Sequence, residues 1–407
     1  MHQPLKATQN QTVQRLTTQK FCDMDFDFTW ILLGLPIAFT LGWLASRADL
    51  RQLRIENRQA PKAYFRGLNF LLNEQQDKAI DAFIEAVQND PDTSELHFAL
   101  GNLFRRRGEY ERAVRVHEHL LQRGDLTQPD RDRAQHALAL DYLKAGLLDR
   151  AEIALHKLEG TNYEEEARLA LLSIYERSRD WQHATDIASK LNSAGHASFI
   201  GRQAHYLCEQ AKSLLGTGDT VQARALLERA CSIASTSARP LIDLANLQLQ
   251  NNQQQDAFDT LMKLDRVAPQ VMPLAAGLLT TIAQHDGLCV PVVALLKAHY
   301  QHTPSVDVME AIARLEKDPA TSRQGYIKHL ETETSLVAAA RWVAGEKFAN
   351  PLEERNHQLV QRALDQATKP LMRYRCAACG FEATQHFWQC PGCQAWDSYP
   401  ARRIEEL

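Results

Sequence analysis

The sequence predicts an all-α chain, a superhelix of stacked helical hairpins with one membrane-spanning helix before it and a small four-cysteine metal module after it. Three observations carry this. Residues 28–46 hold no charge over 19 positions. From residue 60 onward, small and aromatic residues recur with a period of 34. Cys376-Ala-Ala-Cys379 and Cys390-Pro-Gly-Cys393 place four of the eight cysteines within 18 residues.

Bulk properties agree with that plan. A chain of 407 residues with 44% hydrophobic content can build two or three domains with buried cores. Its 46 basic and 50 acidic residues give a net charge of −4. No nucleic-acid partner is expected, since that would call for a basic patch. Cys22, Cys208, Cys231 and Cys289 are well spread and read as free thiols, the last three buried in helices. A thiolate site beside isolated thiols points to a reducing compartment, the cytoplasm.

Residues 1–27 form a polar extension on the non-cytoplasmic side. Its first 23 residues are rich in Gln and Thr, and Met24 stands as an alternative start directly before the anchor. The span 28–46 reads FTWILLGLPIAFTLGWLAS. As a helix it covers roughly 28 Å, close to the ~30 Å hydrocarbon core of a bilayer. Trp30 and Trp43 fall near its ends, where aromatic belts form, and Gly34, Pro36 and Gly42 are tolerated in membrane helices. Arg47, Arg51, Arg54, Arg58 and Lys62 follow the span, whereas Asp23, Asp25 and Asp27 precede it. The positive-inside rule then puts the C-terminal bulk in the cytoplasm. A cleaved signal peptide would need a basic n-region, and here that region is acidic. A buried core helix fits such a long charge-free run less well. Residues 47–59, free of Gly and Pro, extend the helix as a juxtamembrane stalk.

The repeat array is placed at 60–340. Gly67, Ala79, Phe83, Ala86 and Pro91 stand at offsets 0, 12, 16, 19 and 24, and Gly101, Phe104, Ala113 and Leu120 repeat the theme one period later. Those offsets are the tetratricopeptide pattern. Small residues let two helices of a hairpin approach, an aromatic wedges the next hairpin, and Pro ends the second helix. Ala139, Tyr142, Ala151 and Leu158 take the same roles after a four-residue insertion around Gln128-Pro129. Tyr175, Ala184 and Leu191 follow, then Ala211, Ala223, Leu227 and Ala230, then Ala245, Ala257, Leu261, Leu264 and Pro269. Six units hold register, and the span 60–320 has room for seven or eight. Beyond Pro273 the period blurs, with worn helix pairs around Gly287 and Pro304. Residues 341–369 read as a helical linker.

Stacked hairpins offer a concave face to peptides or proteins. Asn102 and Asn246 each fall one residue after a helix-A small position, on the face expected to line that groove, and Arg105 and Arg106 on the next turn can meet a carboxylate. A solvated polar face is the alternative for all four. His117-Glu118-His119 has a packing or surface role, because residues two apart lie on different sides of a helix. No hydrolase elbow, phosphate loop or dinucleotide fingerprint interrupts the array, so no enzymatic activity is expected.

The metal module occupies 370–400. Two CxxC pairs bring four sulfurs to one ion at about 2.3 Å, and a closed four-thiolate shell leaves no position for water or substrate. Disulfides or unrelated surface pairs fit the spacing less well. Gly380 and Gly392 are expected to supply the positive φ of the two turns. Tyr374, Phe381, Phe387, Trp388, Trp396 and Tyr399 are expected to form an aromatic shell around knuckles carried on short β-hairpins. At 31 residues the module is too small to fold on a core alone, so a structural zinc ion, contributing on the order of 10–16 kcal/mol, decides its folding.

The order of anchor, array and four-cysteine module, with the string YRCAACGF…FWQCPGCQAW over 374–396, closely resembles the lipopolysaccharide assembly protein B family of Gram-negative inner membranes. In that family the module is rubredoxin-like, and Cys376, Cys379, Cys390 and Cys393 fall on its ligand positions. The resemblance implies iron in the site where structural argument suggests zinc. It also implies a regulatory adaptor that helps a membrane-bound ATP-dependent zinc protease degrade the deacetylase committing carbon to lipid A, alongside other lipopolysaccharide assembly proteins. The residues before Met24 depart from the family, whose anchor begins at once. Two other roles stand beside the adaptor: a general scaffold for envelope enzymes, and a rubredoxin-type electron carrier. Against the carrier, the ten-residue gap between the pairs is short and no partner cofactor site is seen.

Overall fold

The computed structural model describes residues 36–44, 62–89, 93–193, 199–285, 287–316, 318–346 and 351–407. Of the expected membrane span, 36–44 is helical and its apolar side chains are exposed, Phe39 and Leu41 among them. The rest of 28–46, the polar extension, the 47–59 stalk, Cys22 and Pro91 lie outside the described residues. Among the described residues no helix is long and apolar enough to cross a membrane.

The chain divides into two compact units at Val116–His117. The first contains α1 (62–72), α2 (Gln76–Asn89), α3 (Ser94–Arg107) and the start of α4 (Tyr110–Gln122). Its core is built from the residues at the repeat offsets: Ala79, Phe83, Ala86, Phe104 and Ala113 are all buried. Gly67 shows why the offsets matter. A Cβ placed there would stand 3.0 Å from Cε2 of Phe83, so the missing side chain is the room the phenyl ring fills.

The second unit continues through α5 (Gln128–Lys144), α6 (Leu148–His156), α7 (Glu164–Ser178), α8 (Trp181–Ser193), α9 (Ile200–Thr217), α10 (Thr220–Ile233), α11 (Ala238–Gln250) and α12 (Gln254–Val267). It then adds α13 (Met272–Ile282), α14 (Cys289–His302), α15 (Val306–Leu315), α16 (Pro319–Thr332), α17 (Leu336–Ala344) and α18 (Pro351–Thr368). Adjacent helices pair, which gives a mostly helical tetratricopeptide-like fold. Ala139, Ala151, Ala184, Ala223, Ala245 and Ala257 have no exposed surface, as close helix packing requires. Cys208 is buried in α9, but Cys231 and Cys289 are only half-buried.

Two regularities were not read from the sequence. From α1 to α14, each turn from the first helix of a hairpin to the second passes through one left-handed residue: Glu74, Gly108, Gly146, Arg179, Gly218, Asn252 and Gly287. Their spacings are 34, 38, 33, 39, 34 and 35 residues, so the backbone keeps the period where side chains have drifted. Glycine holds four of these places because a Cβ there costs about 1–2 kcal/mol. The second regularity is a set of Tyr–Glu bonds between neighbouring helices, two from the aromatic repeat positions Tyr142 and Tyr175 and one from Tyr206, earlier on α9. The hydroxyls of Tyr142, Tyr175 and Tyr206 donate to Glu118, Glu152 and Glu176 at 2.7, 2.7 and 2.5 Å. A wedge of this kind packs its ring and satisfies its hydroxyl on a neighbouring helix. His117 likewise has a packing role: it is fully buried, 2.5 Å from the Asp141 carboxylate.

Two glycines on either side of the α9 C-terminus give opposite forecasts for the same substitution. Gly216 is helical, with open space where its Cβ would stand, so Gly216→Ala is expected to stabilise by about 0.5–1 kcal/mol. Gly218 has φ 88° and equal space, so Gly218→Ala is expected to destabilise by about 1–2 kcal/mol. Amide exchange across α9 and α10 reads both; a common sign would contradict the turn assignment.

Candidate metal centre

The C-terminal module opens with β1 (Tyr374–Arg375) paired antiparallel to β2 (Glu382–Ala383), and Gln389 bridges to Trp396 in its second half. Each cysteine pair sits in the turn of one such hairpin. The amide of Cys376 donates to Phe381 O at 2.9 Å, and that of Gly380 returns to Cys376 O at 2.9 Å. The second half repeats this with Cys390 to Ala395 O at 2.9 Å and Gln394 to Cys390 O at 2.8 Å. In each half the residue directly after the second cysteine is left-handed, Gly380 at φ 78° and Gln394 at φ 61°. The expectation for Gly392 is therefore corrected. Its φ is not positive, and it is small for a different reason: a Cβ would lie 3.4 Å from Phe381 Cδ2.

The knuckles bring the four sulfurs together. Cys376 Sγ lies 3.8 Å from Cys393 Sγ, Cys379 Sγ lies 3.7 Å from Cys390 Sγ, and all four fall within 4.8 Å of one another. Bonds of about 2.3 Å to a tetrahedral ion set sulfurs about 3.8 Å apart, so this donor set fits one zinc or iron ion. When bound, such an ion supplies a cross-link among the four thiolates. Burial pushes the Cys376 thiol up, but bonds to the Ser398 hydroxyl and the amides of Cys379 and Ala378 outweigh it and lower the group, while bonds to the neighbouring thiols help raise Cys379. Without an ion the four sulfurs thus share protons unequally. Among the described residues no other group of three or more Cys, His, Asp or Glu converges in this way.

The aromatic shell is corrected in part. Tyr374 and Tyr399 are buried with Cys376 and Cys390, and Phe387 packs on that cluster, but Phe381 is 45% exposed. Trp388 and Trp396 face the helices instead. Trp396 stacks on His205 of α9 at 4.8 Å between centroids and meets Trp181 and Tyr206 edge-on. Its Nε1 donates to the Glu176 carboxylate at 2.9 Å, and His205 Nε2 lies 2.8 Å from Asp397. Trp388 packs against the core shared by α11 to α15.

A second attachment follows the module. Arg403 makes two bonds to Asp307 of α15, at 2.9 and 3.1 Å, while lying 4.1 Å from the Tyr374 ring and donating to Met372 O at 2.7 Å. Glu406 accepts from the first amide of α15, Val306 N, at 2.6 Å, and Glu405 accepts from Val337 N and the Ser335 hydroxyl of α17 at 2.9 and 2.8 Å. Both carboxylates thus sit on the positive ends of helix dipoles. The module is a docked part of the second unit.

The spacing of the sequence announces the four converging cysteines but not these partners. Trp396 and Glu176 are 220 residues apart and Asp397 and His205 192, so no local spacing betrays them. The signal available was an excess of large aromatics in a module too small to bury them. Of the groove candidates, Arg105 donates to Asn102 on the same helix, Arg106 is exposed, and Asn246 is half-buried on α11.

Docking and metal binding are separable by mutation. Trp396→Ala is expected to keep the metal content while weakening docking by about 2–3 kcal/mol, less than the cost of truncating a fully buried Trp because this one is half-buried. Exchange protection around Trp181 and Tyr206 would fall, with array helicity unchanged. Cys376→Ser or Cys393→Ser should lose both metal and docking. A metal-free module that stayed protected would overturn the coupling.

Comparisons with known proteins agree with this geometry. Residues 374–399 match a family described as rubredoxin metal binding domain, and residues 96–132 and 214–282 match tetratricopeptide repeat families. Among solved structures, a tetratricopeptide repeat protein from Parabacteroides merdae aligns over 71% of this chain and 99% of its own at 11% identity, with a TM-score of 0.32, too low to bear on the fold. Lipopolysaccharide assembly protein B of Haemophilus influenzae is 29% identical over 390 residues, 90% of this chain and 96% of its own. The protein of that name from Escherichia coli K12 is 30% identical over 387 residues, 93% of this chain and 99% of its own. With similarity running through both the helical array and the cysteine knuckles, this chain belongs to the lipopolysaccharide assembly protein B family.

Proposed function

We propose that this chain is a scaffold of lipopolysaccharide assembly that works by holding other proteins and catalyses no reaction itself. The observation that carries the reading is the end-to-end similarity to a protein named for lipopolysaccharide assembly, over an array of a binding type. The four-thiolate geometry supports a structural ion, because all four donors of a tetrahedral site come from the chain.

In its finer form the proposal is an adaptor for proteolysis. Residues 28–46 anchor the chain in the inner membrane, with 1–27 outside and the bulk in the cytoplasm. The array presents the lipid A deacetylase to the membrane ATP-dependent zinc protease, and Asn102, Arg105, Arg106 and Asn246 contribute to its binding surface. Confinement to the membrane raises effective concentration and so strengthens weak contacts with a membrane protease.

Deleting the chain is expected to lengthen the half-life of the deacetylase several-fold, as pulse-chase with an antibody to it would read. An unchanged half-life alongside faulty lipopolysaccharide export would leave a general assembly scaffold. For topology, a reporter active only in the cytoplasm should work when fused after Leu407 and stay silent when fused before Phe28. The reverse pattern would remove the anchor reading.

A further inference from the structure

Within the second unit, the docked module and the helices border a cavity of about 610 Å³. Its helical walls come from α11, α13, α15 and α17, the first helices of successive hairpins, and the module closes it with Met372 and Trp388. Part of its lining is apolar, from Ile242, Pro273 and Leu274. Part is charged and unevenly balanced. Three guanidinium groups, Arg314, Arg341 and Arg403, face two carboxylates, Asp307 and Glu310. His386, also on the walls, is neutral near pH 7 because burial lowers its pKa. Among the wall residues one positive charge is in excess; beyond them, Asp365 of α18 also acts on Arg341.

The excess has a definite place. Arg403 is matched by Asp307 through two bonds. Arg314 and Arg341 instead share the single carboxylate of Glu310, at 3.3 and 2.8 Å. The Glu310 side chain is 10% exposed, whereas those of Arg314 and Arg341 are 66% and 46% exposed. A half-exposed guanidinium pair on one buried carboxylate is suited to a second carboxylate arriving from solvent, because planar N–H forks match that group.

We propose that this cavity docks an extended segment of a partner protein, with an acidic side chain on the Arg314–Arg341 pair and a neighbouring apolar side chain against Pro273, Leu274 and Trp388. The inference rests on the scaffold reading only in that the segment belongs to a partner. It adds a place for recognition outside the groove candidates named above. Because module residues form one wall, the site exists only while the module is docked, so metal loss removes it as well.

Gly277 gives a clean test. It lines the cavity on α13, and nothing lies within 4 Å of where its Cβ would stand. Gly277→Leu therefore fills space at a position where the helix gains propensity. The probes are two acetylated, amidated pentapeptides, Leu-Asp-Leu-Glu-Leu and its carboxamide twin Leu-Asn-Leu-Gln-Leu, titrated calorimetrically into purified full chain in detergent. The acidic peptide is expected to bind at least tenfold tighter than the twin. Arg341→Ala should reduce it to the twin's level, and Gly277→Leu should weaken both peptides. Metal content and Trp396 protection, unchanged in both variants, show that the module is still docked. Equal binding of the peptides, no binding of either, or indifference to Gly277→Leu overturns the site. Displacement by millimolar inorganic phosphate as effective as by the acidic peptide overturns the peptide reading in favour of a general anion site. Since only purified components are used, these failures are distinct from a failure of the cellular role.

Discussion

The rest of the second unit's C-terminal architecture depends on one constraint: a 31-residue module cannot bury enough apolar surface to hold itself together. It is supported from two sides. Within, four sulfurs converge at the spacing of a tetrahedral ion. Without, Trp396 and Trp388 take their partners from the helices, and Arg403, Glu405 and Glu406 tie the following segment to α15 and α17. The two supports are coupled through the chain, because Trp396 stands only three residues after Cys393. Ordering the knuckle fixes where the indole can reach, and the stacked indole in turn limits how far the knuckle can open.

The helices meet a different demand, which is close approach at many similar interfaces. Alanine at the interior positions and Gly67 under Phe83 remove the side chains that would hold neighbouring helices apart. Aromatic positions are less uniform than the small ones. Phe83 and Phe104 are buried phenyl wedges, while Tyr142 and Tyr175 place a hydroxyl on a glutamate of another helix. Tyr206, earlier on α9, does the same with Glu176, and that carboxylate also accepts from Trp396. One helix–helix contact has thereby been extended to receive the module.

What could be read from the residues follows from the range of the interactions involved. The four converging cysteines were legible because a CxxC pair is a local device. The repeat offsets were legible because small residues recur at each interface. Gly380 was legible as a turn residue, but Gln394 was not, since nothing in its identity announces a left-handed conformation. The same holds for Arg179 and Asn252, which keep the turn period without glycine. Along the chain, Glu310 and Arg314 look like an ordinary i, i+4 pair on α15, and Arg341 lies on another helix. The meaning of their sharing appears only when α15 and α17 are set side by side and the module covers them.

The four sulfurs are not equivalent. In each knuckle the first cysteine is buried and the second is exposed, so Cys376 and Cys390 face the interior while Cys379 and Cys393 border solvent. A site built this way can be reached from outside by a competing thiol or chelator while its inner half stays sheltered. The two edges of the centre therefore carry different demands: packing fixes the inner pair, while the outer pair is open to small molecules in the surrounding solution.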